Sequence, residues 1–172
     1  MTAPRLVLVG APGAGKSTVG RRVAEQCDLP FADTDLLIEE ATGMSVADIF
    51  ITLGEPEFRR IEEEVVAEAL REQSGILALG GGVVMSPATR LILGHHFVVW
   101  LRVSVTDAAH RVGMNTARPL LLGNVRGQLK TLMEDRAPLY RGVSTAIIDS
   151  SGKSLKSVVV EVINLLDVES HG

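Results

Sequence analysis

The chain has 172 residues, 46% of them hydrophobic and 22% charged, with a formal net charge of −4. That size fits one domain with a core large enough to stand without disulfides, and the composition is that of a globular protein. The acidic balance excludes a broad basic surface for nucleic acid, and no apolar run reaches the roughly 18 residues that would span a bilayer.

The first apolar run, Leu6, Val7, Leu8 and Val9, reads as a buried strand over 6–9. It leads straight into Gly10-Ala11-Pro12-Gly13-Ala14-Gly15-Lys16-Ser17, a match to the phosphate-binding pattern G-x-x-x-x-G-K-[ST]. A helix follows over 17–27, carrying Val19, Val23 and Cys27 at helical spacing. Glycines let this backbone curl so that its N–H groups point inward, and the helix start adds partial positive charge. Lys16 then reaches the β- and γ-phosphates, and the Ser17 hydroxyl suits a Mg²⁺ ion bridging them. The strand and helix flanks turn the pattern into a prediction: this chain binds a nucleoside triphosphate. Cys27 is the lone cysteine and reads as a small core residue. With no disulfide possible, and no signal-peptide pattern in Met1-Thr2-Ala3-Pro4-Arg5, the expected location is cytoplasmic.

A second strand over 30–32 ends at Asp33-Thr34-Asp35. On an extended segment the two carboxylates share one side, with Asp33 toward metal and Asp35 deeper in a cleft. The alternative is a helix N-cap followed by a first-turn acid. Residues 35–57 form a long connection containing short helical pieces. A helix over 56–72 then places Phe58, Ile61, Val65, Val66, Ala69 and Leu70 on one apolar stripe. Arg60, Glu63, Glu64, Glu68 and Arg71 fall outside or at its margins, whereas Arg59 and Glu62 fall inside it. A charge facing the core must be paired or ligand-bound. Either the two form a structural i,i+3 pair, or Glu62 holds the Arg59 guanidinium for an anionic ligand.

The third strand, 76–79, is followed by Gly80-Gly81-Gly82, where a ligand can approach the backbone and meet N–H donors. A fourth strand is expected over 97–101 and a fifth over 146–148, with a last helix over 155–166. Alternating strands and helices predict an α/β fold: a central five-stranded parallel sheet covered by helices on both faces, a three-layer α/β/α arrangement. Ligands bind such sheets beyond the carboxyl ends of the strands. Residues 113–127 form a second long connection, read as a lid, and contain Arg118. Arg136 lies near the end of the next helix, where it also complements the helix dipole. His95, His96, His110 and His171 have no partner at metal-ligand spacing and carry no assigned role. A GTPase is disfavoured because Asn-Lys-x-Asp is absent and Asp-x-x-Gly occurs only at Asp149 to Gly152.

In their order and spacing these segments resemble the shikimate kinases, small kinases of aromatic amino-acid biosynthesis. The likeness runs from Val7 to about Tyr140. It takes in the phosphate loop, Asp33-Thr34-Asp35, Gly54-Glu55 with Phe58-Arg59-Arg60-Ile61-Glu62, Gly80-Gly81-Gly82, Arg118-Pro119-Leu120-Leu121 and Arg136-Ala137-Pro138-Leu139-Tyr140. It implies a phosphate-loop kinase fold in one domain, with an acceptor segment at about 34–60. The implied reaction is ATP-dependent phosphorylation of the 3-hydroxyl of shikimate by a monomeric enzyme without nucleic-acid or membrane partners. Gly13, Ala14, Gly15, Lys16, Ser17 and Thr18 would hold ATP, with Arg111, Arg118 and Lys153 near its base or phosphates. Ser17 and Asp33 would serve Mg²⁺. Asp35 would bind the acceptor hydroxyls and take the proton, acting with Lys16 and Arg118 in catalysis. Arg59, Arg136 and the backbone of Gly80, Gly81 and Gly82 would grip the carboxylate; Glu62 would steady Arg59, and Phe50 and Phe58 would flank the ring. Beyond Tyr140 the chain departs from the family, because 149–155 lacks the Arg- and Pro-containing stretch of many members. A gluconate kinase of the same fold is the nearest rival.

Overall fold

Alternate residues of β1 (Pro4–Val9) point into two separate cores: Leu6 and Leu8 into one, Val7 and Val9 into the other. A strand buried on both faces belongs at the centre of a covered sheet, which explains its uninterrupted apolar sequence. The computed structural model describes residues 3–114 and 122–171. Within them β1 is flanked by β3 (Gly75–Ala78) and β4 (Val98–Arg102), and β2 (Phe31–Asp33) and β5 (Ala146–Asp149) form the edges. The order is β2-β3-β1-β4-β5 and every pair is parallel. Each observed strand overlaps its expected segment, with ends displaced by one or two residues.

On one face, helices α1 (Lys16–Gln26), α6 (Val105–Met114) and α8 (Leu155–His171) cover Leu6, Leu8, Val99 and Leu101 with Val19, Val23, Ala108, Val158 and Val162. On the other face, α4 (Glu55–Glu72), α5 (Pro87–Leu93) and α7 (Leu122–Val143) contribute Val66, Leu70, Leu93, Tyr140 and Val143. The result is the expected α/β/α sandwich. Cys27 caps the C-terminus of α1 and packs, partly buried, against the first core.

The connection over 35–57 is almost entirely helical. It consists of α2 (Thr34–Thr42), α3 (Val46–Leu53) and the start of α4, which share a small core of Ile38, Ile49 and Phe58. This segment therefore has its own packing beside the sheet. Of the lid expected over 113–127, α6 runs through Met114 and α7 begins at Leu122; Arg118 lies outside the described residues.

Candidate active site

Helix α1 begins at Gly15, held at φ 88°, with no side-chain cap and no acid in its first turn. The three helices that follow it differ. Asp33 caps α2, Ser45 caps α3, and α4 carries Glu55 and Glu57 in its first turn. The α1 start thus keeps free N–H donors and the positive end of its dipole, the conditions under which a helix binds phosphate. Gly13, at φ 83°, turns the loop against α6, and Arg111 donates to the Gly13 carbonyl (2.9 Å). Lys16 Nζ donates to the carbonyls of Gly10 (2.6 Å) and Ala11 (3.1 Å). Burial lowers its pKa to about 8, while Asp35 and Asp33 pull the other way.

Ser17 Oγ donates to Asp33 Oδ2. The other oxygen of Asp33 accepts from the Asp35 backbone N–H at 2.8 Å and caps α2. The extended segment expected for both carboxylates therefore ends at Asp33, and Asp35 stands in the first turn of α2. The capping reading and the site reading hold together, because one oxygen caps while the other faces the phosphate loop. Burial, reinforced by Asp33, pushes the Asp35 carboxyl above its usual range, with Lys16 opposing. Ser17 and Asp33 are hard oxygen donors of the kind Mg²⁺ accepts, so the pair fits that ion. Among the described residues no three His, Cys, Asp or Glu side chains gather to form a metal cage. A Mg²⁺ ion here would take its remaining ligands from phosphate and water.

Arg59 and Glu62 make the pair their inward placement requires. NH1 of Arg59 donates to Glu62 Oε1 at 2.8 Å, and Glu62 is only 4% exposed. Burial raises the Glu62 pKa, the bond to Arg59 lowers it, and Asp35 raises it again. Arg59 Nε is shielded from solvent without a hydrogen bond among the described residues, and Glu55 Oε1 stands 3.6 Å away. The guanidinium also lies over two rings, 5.3 Å from the centre of Phe58 and 5.8 Å from that of Phe50. Those rings pack against each other tilted by 34°, with centroids 4.4 Å apart. Phe58 is nearly fully buried in the α2–α3–α4 core, so it supports Arg59 from below, while Phe50 keeps part of its surface open.

The glycine turn joins the two halves. A Cβ at Gly80 would lie 2.9 Å from Asp35 Oδ1 and 3.2 Å from Glu62 Oε2. At Gly81 it would lie 2.9 Å from Pro12 Cδ, and at Gly82 it would lie 2.3 Å from Arg59 NH1. The expectation of three N–H donors open to a ligand needs correcting at Gly80, whose N–H donates to the buried Thr34 hydroxyl at 3.0 Å. Thr34 and Tyr140, which donates to the Gly81 carbonyl at 2.5 Å, escaped the sequence reading as site supports. A signal for Tyr140 was present, since it follows Arg136 by one helical turn.

One cavity of about 520 Å³ brings together Gly13, Gly15, Lys16, Ser17, Thr18, Asp33, Asp35, Gly80, Gly81 and Arg111. Arg59, Glu62 and Gly82 line an adjoining cavity of about 260 Å³. Arg136 sits well inside α7, two turns from its end, so the dipole role falls to Arg141. Arg136 lines a third cavity, of about 700 Å³, and its charge is felt at Lys16, Glu62 and Tyr140. A fourth, of about 210 Å³, is lined by Ala14, Thr18, Val19, Arg111, Ser150, Lys153, Leu155 and Val158. Lys153 there pairs with Glu161 at 3.0 Å.

A helix start ready for phosphate on one side of the glycine turn, and a held guanidinium on the other, make this a phosphate-loop kinase. The shikimate kinase family profile matches residues 12–167, and the chain belongs to that family. It is 50% identical over 169 residues to the shikimate kinase of Mycobacterium bovis (strain BCG / Pasteur 1173P2), covering 98% of this chain and 96% of that one. Shikimate kinase from Acinetobacter baumannii, solved in complex with shikimate, superposes with a TM-score of 0.87 at 33% identity, covering 96% of this chain and 93% of the other. A gluconokinase from Sinorhizobium meliloti reaches a TM-score of 0.59 at 20% identity, covering 94% and 90%, which is a likeness of fold alone.

Proposed function

We propose that this chain transfers the γ-phosphoryl group of ATP to the 3-hydroxyl of shikimate, giving shikimate 3-phosphate and ADP. The observation that carries this reading is the glycine turn, which has Asp35 and Glu62 against Gly80 and Arg59 against Gly82 beside the phosphate loop. Asp35 faces the acceptor hydroxyl. As the hydroxyl oxygen bonds to the γ-phosphorus and the bond to the β-phosphate oxygen breaks, its proton passes to the Asp35 carboxylate. A raised pKa makes Asp35 a better base than a solvated aspartate. Arg59, Arg136 and the Gly81 backbone hold the acceptor carboxylate, each charged hydrogen bond contributing roughly 1.5–3 kcal/mol. Glu62 keeps the Arg59 guanidinium aimed, and Phe50 and Phe58 border the ring.

Lys16 and the loop N–H groups hold the phosphates. Ser17 and Asp33 would hold Mg²⁺, which when bound neutralises phosphate charge. Arg111 and Lys153 border the cavity assigned to the base. Arg118 is assigned to the closing lid. On this reading the enzyme is a cytoplasmic monomer acting on small molecules.

The test is ADP release from the purified protein with Mg·ATP, alone, with shikimate and with gluconate. Strong stimulation by shikimate only is expected. Stimulation by gluconate would overturn the acceptor, and stimulation by neither would leave a nucleotide-binding module.

A further inference from the structure

Tyr140 is 1% exposed and stacks on Trp100 at 5.5 Å, and Trp100 pairs in register with Val9, the last residue before the phosphate loop. A buried tyrosine hydroxyl needs a partner. This one donates to the Gly81 carbonyl at 2.5 Å, and Gly81 in turn packs against Pro12 of the loop. The phenolic oxygen keeps lone pairs with which to accept. Arg136 lies four residues earlier on α7, on the same helix face. Its positive charge acts on the hydroxyl against the upward push of burial. Between the two stands Pro138, which has no N–H to give the Glu134 carbonyl, so this turn of α7 lacks one rung of its own ladder. The bond to Gly81 ties that turn to the segment after the carboxyl end of β3 instead.

We propose that Tyr140 is a positioning residue for the acceptor: its hydroxyl, fixed by the Gly81 carbonyl, sets where the Arg136 guanidinium meets the substrate carboxylate. Tyr140 touches neither substrate nor nucleotide; it acts through Arg136 and joins α7 to the wall between the two half-sites. The inference rests on the assignment of Arg136 to the carboxylate of shikimate.

The test is Tyr140→Phe, which keeps the ring against Trp100, assayed with shikimate and with its uncharged carboxamide. Wild-type enzyme should prefer the acid. The variant should lose about tenfold in kcat/KM for the acid, chiefly through KM, with the amide and ATP values nearly unchanged. In an Arg136→Ala background the same substitution should add almost nothing. Equal losses on acid and amide, or additive losses in the double variant, would overturn the role and leave Tyr140 as packing alone. Wild-type indifference to shikimate would instead sink the acceptor assignment, and this inference with it.

Discussion

The turns that follow β1 and β3 leave paired parallel strands at the same, carboxyl-terminal end of the sheet, and both are rich in glycine. In the phosphate loop, Gly13 and Gly15 sit at φ 83° and 88°, a region that side chains resist. There glycine sets the shape of the backbone, so that N–H groups face a phosphate. None of Gly80, Gly81 and Gly82 has a left-handed φ. Their missing Cβ atoms leave room for Asp35, Pro12 and Arg59. One residue type thus meets two needs, conformation in the phosphate loop and space on the side proposed for the acceptor.

The largest effect should come from the side chain that fills the space over Gly80. Asp35→Asn preserves its volume and removes the proposed base; phosphoryl transfer should fall by about 10²–10⁴, with the affinity for an ATP analogue little changed. Because the folded-state pKa of Asp35 is raised, its charge costs stability once the pH exceeds that pKa, and neutralising it removes the cost. The ligand-free variant should therefore melt higher than wild type at pH 7. A large loss of nucleotide affinity would show that the two halves are not separable.

Gly13→Ala should come next. It strains φ and sets a Cβ 2.8 Å from the Ala108 carbonyl oxygen, in backbone that cannot step aside. Nucleotide affinity should fall by roughly 10²-fold and stability by about 1–3 kcal/mol, read by titration and by denaturant melts. Gly82→Ala should be milder and confined to the other substrate. Its φ of −98° suits alanine, and the clash at 2.3 Å is with the end of a flexible arginine. The acceptor KM should rise about tenfold while the ATP KM and the melting temperature hold. If Gly82→Ala weakened ATP as much as shikimate, conformation rather than space would be the need at both turns.

This distinction was not legible in the sequence, where both turns read as close backbone approach. What was legible had short-range causes. The strands followed from apolar runs bounded by turn residues, and the inward pair Arg59–Glu62 from a period of 3.6. Residues 34–53 were harder. Two short elements with little amphipathic length, α2 and α3, formed helices because Ile38 and Ile49 share a small core with Phe58 of α4. Thr34 and Tyr140 could be recognised as supports only once Gly80 and Gly81 stood beside them, 46 and 59 residues away in the chain.

The smallest effect concerns the charge that faces both halves. Lys16 titrates near pH 8 in the folded chain against 10.5 for its ordinary value, because burial outweighs the attraction of Asp35 and Asp33. The folded state thus binds fewer protons than the unfolded state between those values, and the ligand-free protein should gain stability as pH rises through that window. Phosphate oxygens arriving beside the ammonium favour its charged form and restore the proton. Nucleotide binding at pH 8 should then take up about half a proton, falling toward none at pH 6.5. Calorimetry in two buffers of different ionisation enthalpy measures the uptake directly. Lys16→Met should abolish it, and Gly82→Ala, which disturbs only the acceptor side, should leave it intact. Absence of uptake at pH 8 would mean that the loop carbonyls of Gly10 and Ala11 already keep Lys16 fully charged, so that the nucleotide half is set electrostatically before its ligand arrives.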